Sequence, residues 1–145
     1  RLMLRTSARN QLGGRVRAIQ PQGGNDLIDI ELPGDSAIQA QITRSSTVHL
    51  QLHPGAAVMI LLKAGWLQLS APSRAPDPDL NALEGTIEQI LPETDGPCEV
   101  RIALANGQTL CAQVAAEQLA DQGLALGAQV RAQFAAGHVL LGTQV

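Results

Sequence analysis

The stretch NQLGGRVRAI, residues 10–19, returns later in the chain as NALEGTIEQI, residues 81–90. The similarity continues beyond it, since QLHPGAAVMI at residues 51–60 is matched by GLALGAQVRA at residues 123–132. The displacement is 71 residues for the first pair and 72 for the second, so the second copy has gained one residue. A similarity that runs along both halves indicates an internal duplication, and each half is expected to contain the same kind of fold.

The segment between the copies, SAPSRAPDPD at residues 70–79, has the composition of a linker. Its prolines and its lack of apolar periodicity are typical of a semi-extended connection. We therefore expect a first domain over residues 1–70, a linker over residues 71–80 and a second, degenerate domain over residues 81–145. Domains of about seventy residues bury limited surface, so each is expected to depend on the other or on a partner chain.

Each copy alternates apolar and polar residues over short stretches, which is the pattern of half-buried β-strands. Turns are predicted at residues 21–25 and 33–36, and one short helix in each copy, at residues 45–50 and 116–122. This organisation favours a mainly β fold of two tandem OB-like (oligonucleotide-binding) five-stranded β-barrels, each with a short helix. The predicted strands are residues 14–19, 26–32, 37–43, 58–63 and 66–69, then 85–90, 99–104, 108–114, 129–134 and 138–141.

The composition excludes several classes of function. Aromatic residues make up 1% of the chain, as Trp66 and Phe134, and the net charge is -3 with a pI near 5.5. A module that holds nucleic-acid phosphates needs a basic surface, and one that binds single strands needs aromatic platforms. The sequence therefore disfavours direct nucleic-acid binding. No apolar run is long enough to span a bilayer, so no contact with a membrane is expected.

The sequence predicts a cytoplasmic location. No signal peptide is recognisable, and the chain begins with Arg1 instead of methionine, so we expect a fragment of a longer protein. Cys98 and Cys111 cannot build a disulfide framework. A reducing compartment is consistent with both observations.

The patterns of known catalytic and metal sites are missing from the sequence. There is no nucleophile elbow, no phosphate loop and no HExxH motif, and His49, His53 and His138 lack the spacing of zinc ligands. His49 and His53 are expected to be solvated surface residues. We predict no catalytic residue, no bound metal and no enzymatic activity.

A contrast between the two copies indicates a binding site. Lys63 is the only lysine and ends the apolar run VMILLK, residues 58–63, whereas its counterpart in the second copy is Ala135. An ammonium group beside such a run needs either water or an anionic partner. Because the second copy carries alanine there, folding alone does not require the cation.

Two further polar segments occur only in the first copy. Ser7 and Arg9 would share one face of an extended segment, and Thr43, Ser45 and Ser46 crowd the start of the predicted helix. A guanidinium, an ammonium, several hydroxyls and free backbone N–H groups are the donors that a small oxyanion needs. Their counterparts in the second copy are Pro78, Leu80 and AAEQ at residues 115–118.

Each of these residues also has an ordinary structural interpretation. Lys63 alone is typical of a snorkelling strand-end lysine, Ser46 of a helix cap, and Arg9 of a surface ion pair. Their joint absence from the second copy favours a site for an anion. Arg44 is expected to be solvated, and Trp66 is expected to be a packing residue.

These residues resemble the Mop, or molbindin, domain, whose members bind molybdate. The resemblance rests on TSARNQL at residues 6–12, IDI at residues 28–30, IT at residues 42–43 and LKAGW at residues 62–66. In tandem it covers essentially the whole chain. The second half, with its degenerate start and GQTLCA at residues 107–112, is similar to the C-terminal region of molybdate-responsive (ModE-type) transcriptional regulators.

The resemblance implies OB-like Mop barrels in a homodimer that binds molybdate or tungstate between its two chains. The family's Ser and Arg fall on Ser7 and Arg9, and its strand-end lysine falls on Lys63. Its Thr and Ser, which the other subunit contributes, fall on Thr43 and Ser46. The resemblance further implies that DNA is bound only through a winged-helix domain, which this sequence does not match.

Three hypotheses about function follow. The first is the oxyanion-binding sensor module of a molybdate-responsive transcriptional regulator. The second is a cytoplasmic protein that stores or delivers molybdate, or a regulatory domain of a molybdate transporter ATPase. The third is a dimerisation scaffold without a ligand. The sequence upstream of Arg1 would separate these alternatives, since a winged helix supports the regulator, a P-loop ATPase supports the transporter and a start codon supports storage.

Overall fold

The chain folds into short strands, as the alternating pattern predicts. The computed structural model describes residues 6–144 and contains in that range ten strands, two α-helices and two 3-10 turns, labelled η1 and η2. The prediction of a mainly β fold with one short helix in each copy is confirmed. The helices and turns are α1 (Arg44–His49), α2 (Ala116–Asp121), η1 (Ala64–Trp66) and η2 (Ala136–His138). The strands are β1 (Asn10–Gln22), β2 (Asn25–Glu31), β3 (Ala37–Thr43), β4 (Ala57–Leu62), β5 (Gln68–Ser70), β6 (Asn81–Leu91), β7 (Cys98–Leu104), β8 (Thr109–Val114), β9 (Gln129–Phe134) and β10 (Leu140–Gly142).

The strands form two five-stranded antiparallel sheets. The strand order is β10-β4-β1-β2-β3 in one sheet and β5-β9-β6-β7-β8 in the other. Within each sheet the two end strands approach each other, β10 against β3 and β5 against β8, which curls the sheet toward a barrel. Aliphatic side chains and Phe134 fill the two interiors, and Ile28, Ile60 and Phe134 are fully buried. The prediction of two five-stranded OB-like folds is confirmed.

The fifth strand of each sheet comes from the other copy of the repeat. β5, at the end of the first copy, pairs with β9, and β10, at the end of the second copy, pairs with β4. The chain accordingly divides into two compact units. Unit 1 is Arg1–Leu62 together with Ala135–Val145, and unit 2 is Lys63–Phe134. The boundaries expected near residues 70 and 81 describe the sequence repeat, whereas the compact units exchange their last strands.

Strand β1 is longer than the periodicity predicts. It extends to Gln22, through part of the segment predicted as a turn at residues 21–25. The register of β1 with β4 ends at Arg15, so within the described residues Pro21 lies where β1 pairs with β2 alone. The missing N–H of a proline is tolerated at such a position. The turn itself is short and begins at Gly23, whose φ of 63° suits glycine.

The strands predicted at residues 66–69 and 138–141 are partly wrong, because 3-10 turns take up their first residues. Trp66 N donates to Lys63 O at 3.1 Å, and His138 N donates to Ala135 O at 3.0 Å. These i to i+3 hydrogen bonds close η1 and η2, so β5 and β10 begin only after them.

The two α-helices are six residues long and follow the third strand of each copy. α1 begins one residue earlier than predicted, at Arg44. A helix that crosses a bilayer needs about 20 residues, and none in the described range is long and apolar enough to do so. The start of α1 matters for the candidate site, because it carries the hydroxyl groups that occur only in the first copy of the repeat.

Candidate functional site

Ser7 and Arg9 lie in a bend that leads into β1. The Ala8 amide donates to Thr6 Oγ1 at 2.8 Å, and the Thr6 hydroxyl donates to Ala8 O at 3.0 Å. Ala8 is buried, whereas Ser7 and Arg9 are exposed on either side of it. The segment is therefore not a strand, but it alternates buried and exposed residues in the way that an extended segment would.

Lys63 follows β4 directly and is the N-cap residue of η1. Asn10, 2% exposed, pairs with Leu62 in the register of β1 and β4, and its side-chain amide donates to Leu62 O at 3.1 Å. This contact fixes the end of β4 just before Lys63. The Lys63 ammonium is exposed and lies 5.0 Å from the centroid of the Trp66 ring, at a distance typical of a cation–π contact. Trp66, expected as a packing residue, is half-buried and also faces the cation.

Thr43 caps helix α1 and gathers the hydroxyl groups around it. Its Oγ1 accepts from the Ser46 amide at 3.2 Å, which satisfies one of the free N–H groups of the first turn. The same oxygen lies 2.8 Å from Ser46 Oγ and 3.1 Å from Ser45 Oγ. Thr43 and Ser45 are exposed and Ser46 is half-buried, so the cluster faces solvent. The hydroxyl hydrogens can rotate, which allows all three groups to donate to one acceptor.

The sequence predicts a solvated Arg44, and its side chain is indeed partly exposed, but it also forms an ion pair with a buried carboxylate. Its Nη2 lies 3.2 Å from Asp26 Oδ1, its Nε donates to the same oxygen at 3.3 Å, and Nη2 also donates to Asn25 O. The Asp26 side chain is 4% exposed and that of Arg44 is 47% exposed. At the repeat displacement of 72, the pair corresponds to Cys98 and Ala116. The joint replacement of both charges was the signal that the sequence offered for this contact.

We expect Arg44→Ala to lower the free energy of unfolding by about 1–2 kcal/mol, because it leaves the buried Asp26 carboxylate without its cation. Urea unfolding measures the change. The control is Asp26→Cys/Arg44→Ala, which reproduces the residues of the second copy and removes both charges together. Most of the lost stability should return in this double variant. A double variant as unstable as Arg44→Ala would contradict an electrostatic origin of the effect.

The structure places four of the five predicted donors in unit 1 and the fifth in unit 2. Thr43 and Ser46 are in direct contact, and Ser7, Arg9, Thr43 and Ser46 all belong to unit 1. Lys63 is the first residue of unit 2. Neither unit taken by itself therefore contains all five donors.

The described residues contain no alternative centre for a metal. Within residues 6–144, no group of three or more His, Cys, Asp or Glu side chains is arranged to hold an ion. His49 and His53 are exposed, as predicted for solvated histidines, and His53 Nδ1 lies 3.0 Å from Pro54 O. The donor set of the candidate site, two cations with hydroxyl groups, suits an anion instead.

Named relatives cover nearly the whole chain. Transcriptional regulator ModE of Yersinia pestis is 37% identical over 145 residues, which is 99% of this chain and 54% of that protein. The DNA-binding transcriptional dual regulator ModE of Escherichia coli (strain K12) is 35% identical over 144 residues, again 99% and 54%. Molybdenum-pterin-binding protein MopA of Rhodobacter capsulatus is 31% identical over 143 residues, 97% of this chain and 53% of that protein. The chain thus spans about half the length of these relatives.

A solved structure and a family profile agree with these relatives. The fold is similar to that of the cytoplasmic molybdate-binding protein ModG, solved with molybdate bound, with a TM-score of 0.91 and 33% identity over 97% of this chain and 100% of that one. The profile of the TOBE domain matches residues 6–69 and 77–141, one match for each copy of the repeat. The resemblance to tandem domains of ModE-type proteins is thereby confirmed, and the chain belongs to the TOBE domain family, with two of these domains in tandem.

Proposed function

We propose that this chain is the molybdate-binding or tungstate-binding sensor module of a molybdate-responsive transcriptional regulator. The observation that carries the proposal is the set of donors found only in the first copy. Four of the five are replaced in the second copy by residues without a side-chain donor, although the fold is the same. The names of the relatives, which refer to ModE regulators and to a molybdate-binding protein, support this ligand. The five donors are Ser7, Arg9, Thr43, Ser46 and Lys63.

The chemistry of the five donors suits a tetrahedral dianion. The Arg9 guanidinium and the Lys63 ammonium would supply charge-assisted hydrogen bonds and roughly neutralise two negative charges. The hydroxyls of Ser7, Thr43 and Ser46 would donate to the remaining oxygen atoms. No nucleophile stands beside a base in this set, so the proposed activity is binding and not catalysis.

We infer that the donors come together between two copies of the chain in a homodimer. In unit 2, the turn η1 that follows Lys63 packs on β8, and the helix after β8 is capped by Ala115. In unit 1, the turn η2 that follows Ala135 packs on β3, and the helix after β3 is capped by Thr43. Unit 2 therefore combines the donor Lys63 with a helix start that lacks hydroxyl groups. Unit 1 combines the hydroxyl groups at the start of α1 with a turn that lacks the lysine. We propose that Lys63 and Arg9 of one chain face the hydroxyl groups of Thr43 and Ser46 of the partner chain.

Mixing two defective variants tests this arrangement. Arg9→Ala/Lys63→Ala lacks both cations and Thr43→Ala/Ser46→Ala lacks two hydroxyls, so neither homodimer is expected to bind molybdate tightly. Each heterodimer would hold one complete site and one without these four donors, so random pairing after joint refolding should restore about a quarter of the wild-type sites. Calorimetric stoichiometry measures the recovery. If the mixture binds no more than its components, the donors act within one chain.

Molybdate is expected to change the fluorescence of Trp66, the only tryptophan. An anion that draws the Lys63 ammonium away from its position 5.0 Å from the ring changes the surroundings of the indole. A titration of molybdate with sulfate in large excess should therefore give a saturable change, and sulfate alone should give none. A flat titration that calorimetry confirms would contradict the proposal and favour a scaffold without a ligand.

A storage or delivery function is the second candidate. It is favoured by the match to ModG, which covers the whole of that chain. For the sensor, contact with DNA is proposed to reside in a winged-helix domain outside these 145 residues, since the chain spans 54% of the ModE regulators. We propose a cytoplasmic location for either function. The sequence upstream of Arg1 tests the choice, because a winged helix supports the sensor and a start codon supports storage.

A further inference from the structure

The exposed face of α1 differs in charge from that of α2. Ser45 and His49, four positions apart on α1, are both exposed, whereas Thr47 between them is buried. At the repeat displacement of 72 their counterparts on α2 are Glu117 and Asp121, which are also exposed. Two acidic residues of the second copy are therefore a hydroxyl and an imidazole in the first.

This difference has the sign that an anion requires. Glu117 lies in the first turn of α2, where a carboxylate interacts favourably with the helix dipole. The first turn of α1 contains no acidic residue and so lacks this local stabilisation. A carboxylate there would stand beside the donors Thr43 and Ser46 and would repel a bound oxyanion. The copy that carries the donors is thus also the copy that has no acidic residue on this helix.

His49 lies about one helical turn from the hydroxyl groups. Its Cβ atom is about 5–6 Å from that of Ser45, because residues four apart are neighbours on the surface of an α-helix. Ser45 Oγ lies 3.1 Å from Thr43 Oγ1, which is itself 2.8 Å from Ser46 Oγ. An anion held by these hydroxyls would be within roughly 10 Å of the imidazole, the distance over which charges interact at about 0.1 M salt.

The strands that pack most closely on α1 are β2 and β3. β3 has no titratable residue, and β2 carries Asp26, Asp29 and Glu31. Asp26 is paired with Arg44, and Asp29 accepts a hydrogen bond from a glutamine of β3 at 2.7 Å. Among the side chains of these three elements, histidine is the type whose charge ordinarily changes between about pH 5 and pH 8.

We propose that His49 is a further residue of the anion site, an inference that rests on the proposed molybdate-binding function. Its protonated imidazole adds a third positive charge to those of Arg9 and Lys63, from the side of the hydroxyl groups. Molybdate then binds more tightly as the pH falls and the imidazole gains its proton. By linkage, the bound anion promotes protonation of His49, so binding takes up protons from solution.

Calorimetric titration of molybdate at about pH 6 and about pH 8, at low ionic strength, tests the role of His49. The wild-type chain should bind about threefold more tightly at the lower pH. Heats measured in two buffers of different ionisation enthalpy should show uptake of a fraction of a proton for each anion. His49→Gln should lose both effects, whereas His49→Lys should bind at the higher pH about as tightly as the wild type does at the lower pH.

His53→Gln is the matched control, since it removes an exposed histidine four residues away and should leave both effects unchanged. His49→Asp reproduces the residue of the second copy and should weaken binding about threefold at the higher pH. A histidine that interacts only with the dipole at the end of α1 would alter the free energy of unfolding but not the proton uptake.

The possible outcomes separate the role of His49 from the proposed function. If His49→Gln binds molybdate with the same pH dependence and proton uptake as the wild type, the role of His49 is wrong and the molybdate site stands. Unchanged affinity in His49→Asp would have the same meaning. If the wild-type chain binds no molybdate at either pH, the proposed function is wrong, and the role of His49 with it.

Discussion

Lys63→Ala is expected to weaken molybdate binding by about 10–100-fold, and Arg9→Ala by a similar factor, because a hydrogen bond to a charged group is worth about 1.5–3 kcal/mol. The loss should appear in the dissociation constant measured by calorimetry. Lys63 is exposed, so the variant is expected to fold normally. Ala135 occupies the same place before η2 in the second copy, which shows that alanine is compatible with this turn.

The matched control for this prediction is Arg17→Ala. Arg17 is an exposed arginine on β1 that is not among the proposed donors, and its removal lowers the net charge by the same amount as Arg9→Ala. Wild-type affinity in Arg17→Ala together with weak binding in Arg9→Ala would show that position matters more than overall charge. If Arg9→Ala and Lys63→Ala both bind molybdate as the wild type does, the proposed site is wrong.

Gly85→Ala is expected to lower the free energy of unfolding by about 2–3 kcal/mol. A Cβ atom at Gly85 would lie 2.5 Å from Ala103 O and 2.8 Å from Ile102 Cγ2, both on the neighbouring strand β7. Because one of these atoms belongs to the backbone, a rotamer change cannot remove the clash. Strands β6 and β7 would have to separate at this point, which weakens their hydrogen bonds. Denaturant unfolding measures the loss.

Gly137→Ala is the matched control for Gly85→Ala. A Cβ atom at Gly137, in η2, would meet no atom within 4 Å, and its φ is not in the left-handed region. Its unfolding free energy is expected to stay close to that of the wild type. Equal effects of the two substitutions would show that the loss at Gly85 does not come from the close approach of β7. Gly14 is the equivalent position in unit 1, where a Cβ would lie 2.7 Å from Ile30 Cγ2.

The strands could be predicted because alternation of apolar and polar residues is a local feature of the sequence. Most of the donors could be predicted because they differ between the two copies. An alternating pattern identifies a strand whichever strand it pairs with, so eight of the ten predicted strands needed only adjustments of their ends. Comparing residues 71 or 72 positions apart in the two copies identified Arg9 and Lys63 as candidate donors from the sequence alone. The copy comparison also shows that Asp26 and Arg44 are both replaced by uncharged residues in the second copy. It does not show that they are in contact, because the residues are 18 positions apart and meet only when α1 packs beside β2.

The exchange of the last strands was decided by the tertiary structure. Residues 68–70 and 140–142 occupy the same place in the repeat, and both follow a 3-10 turn of the same form. Either segment could therefore extend the sheet of β4 or that of β9 as far as local pattern is concerned. Strand periodicity specifies which side chains face the core but not which edge a strand joins. That choice depends on the path of the chain through η1 and on the packing of both units, which no short stretch of sequence contains.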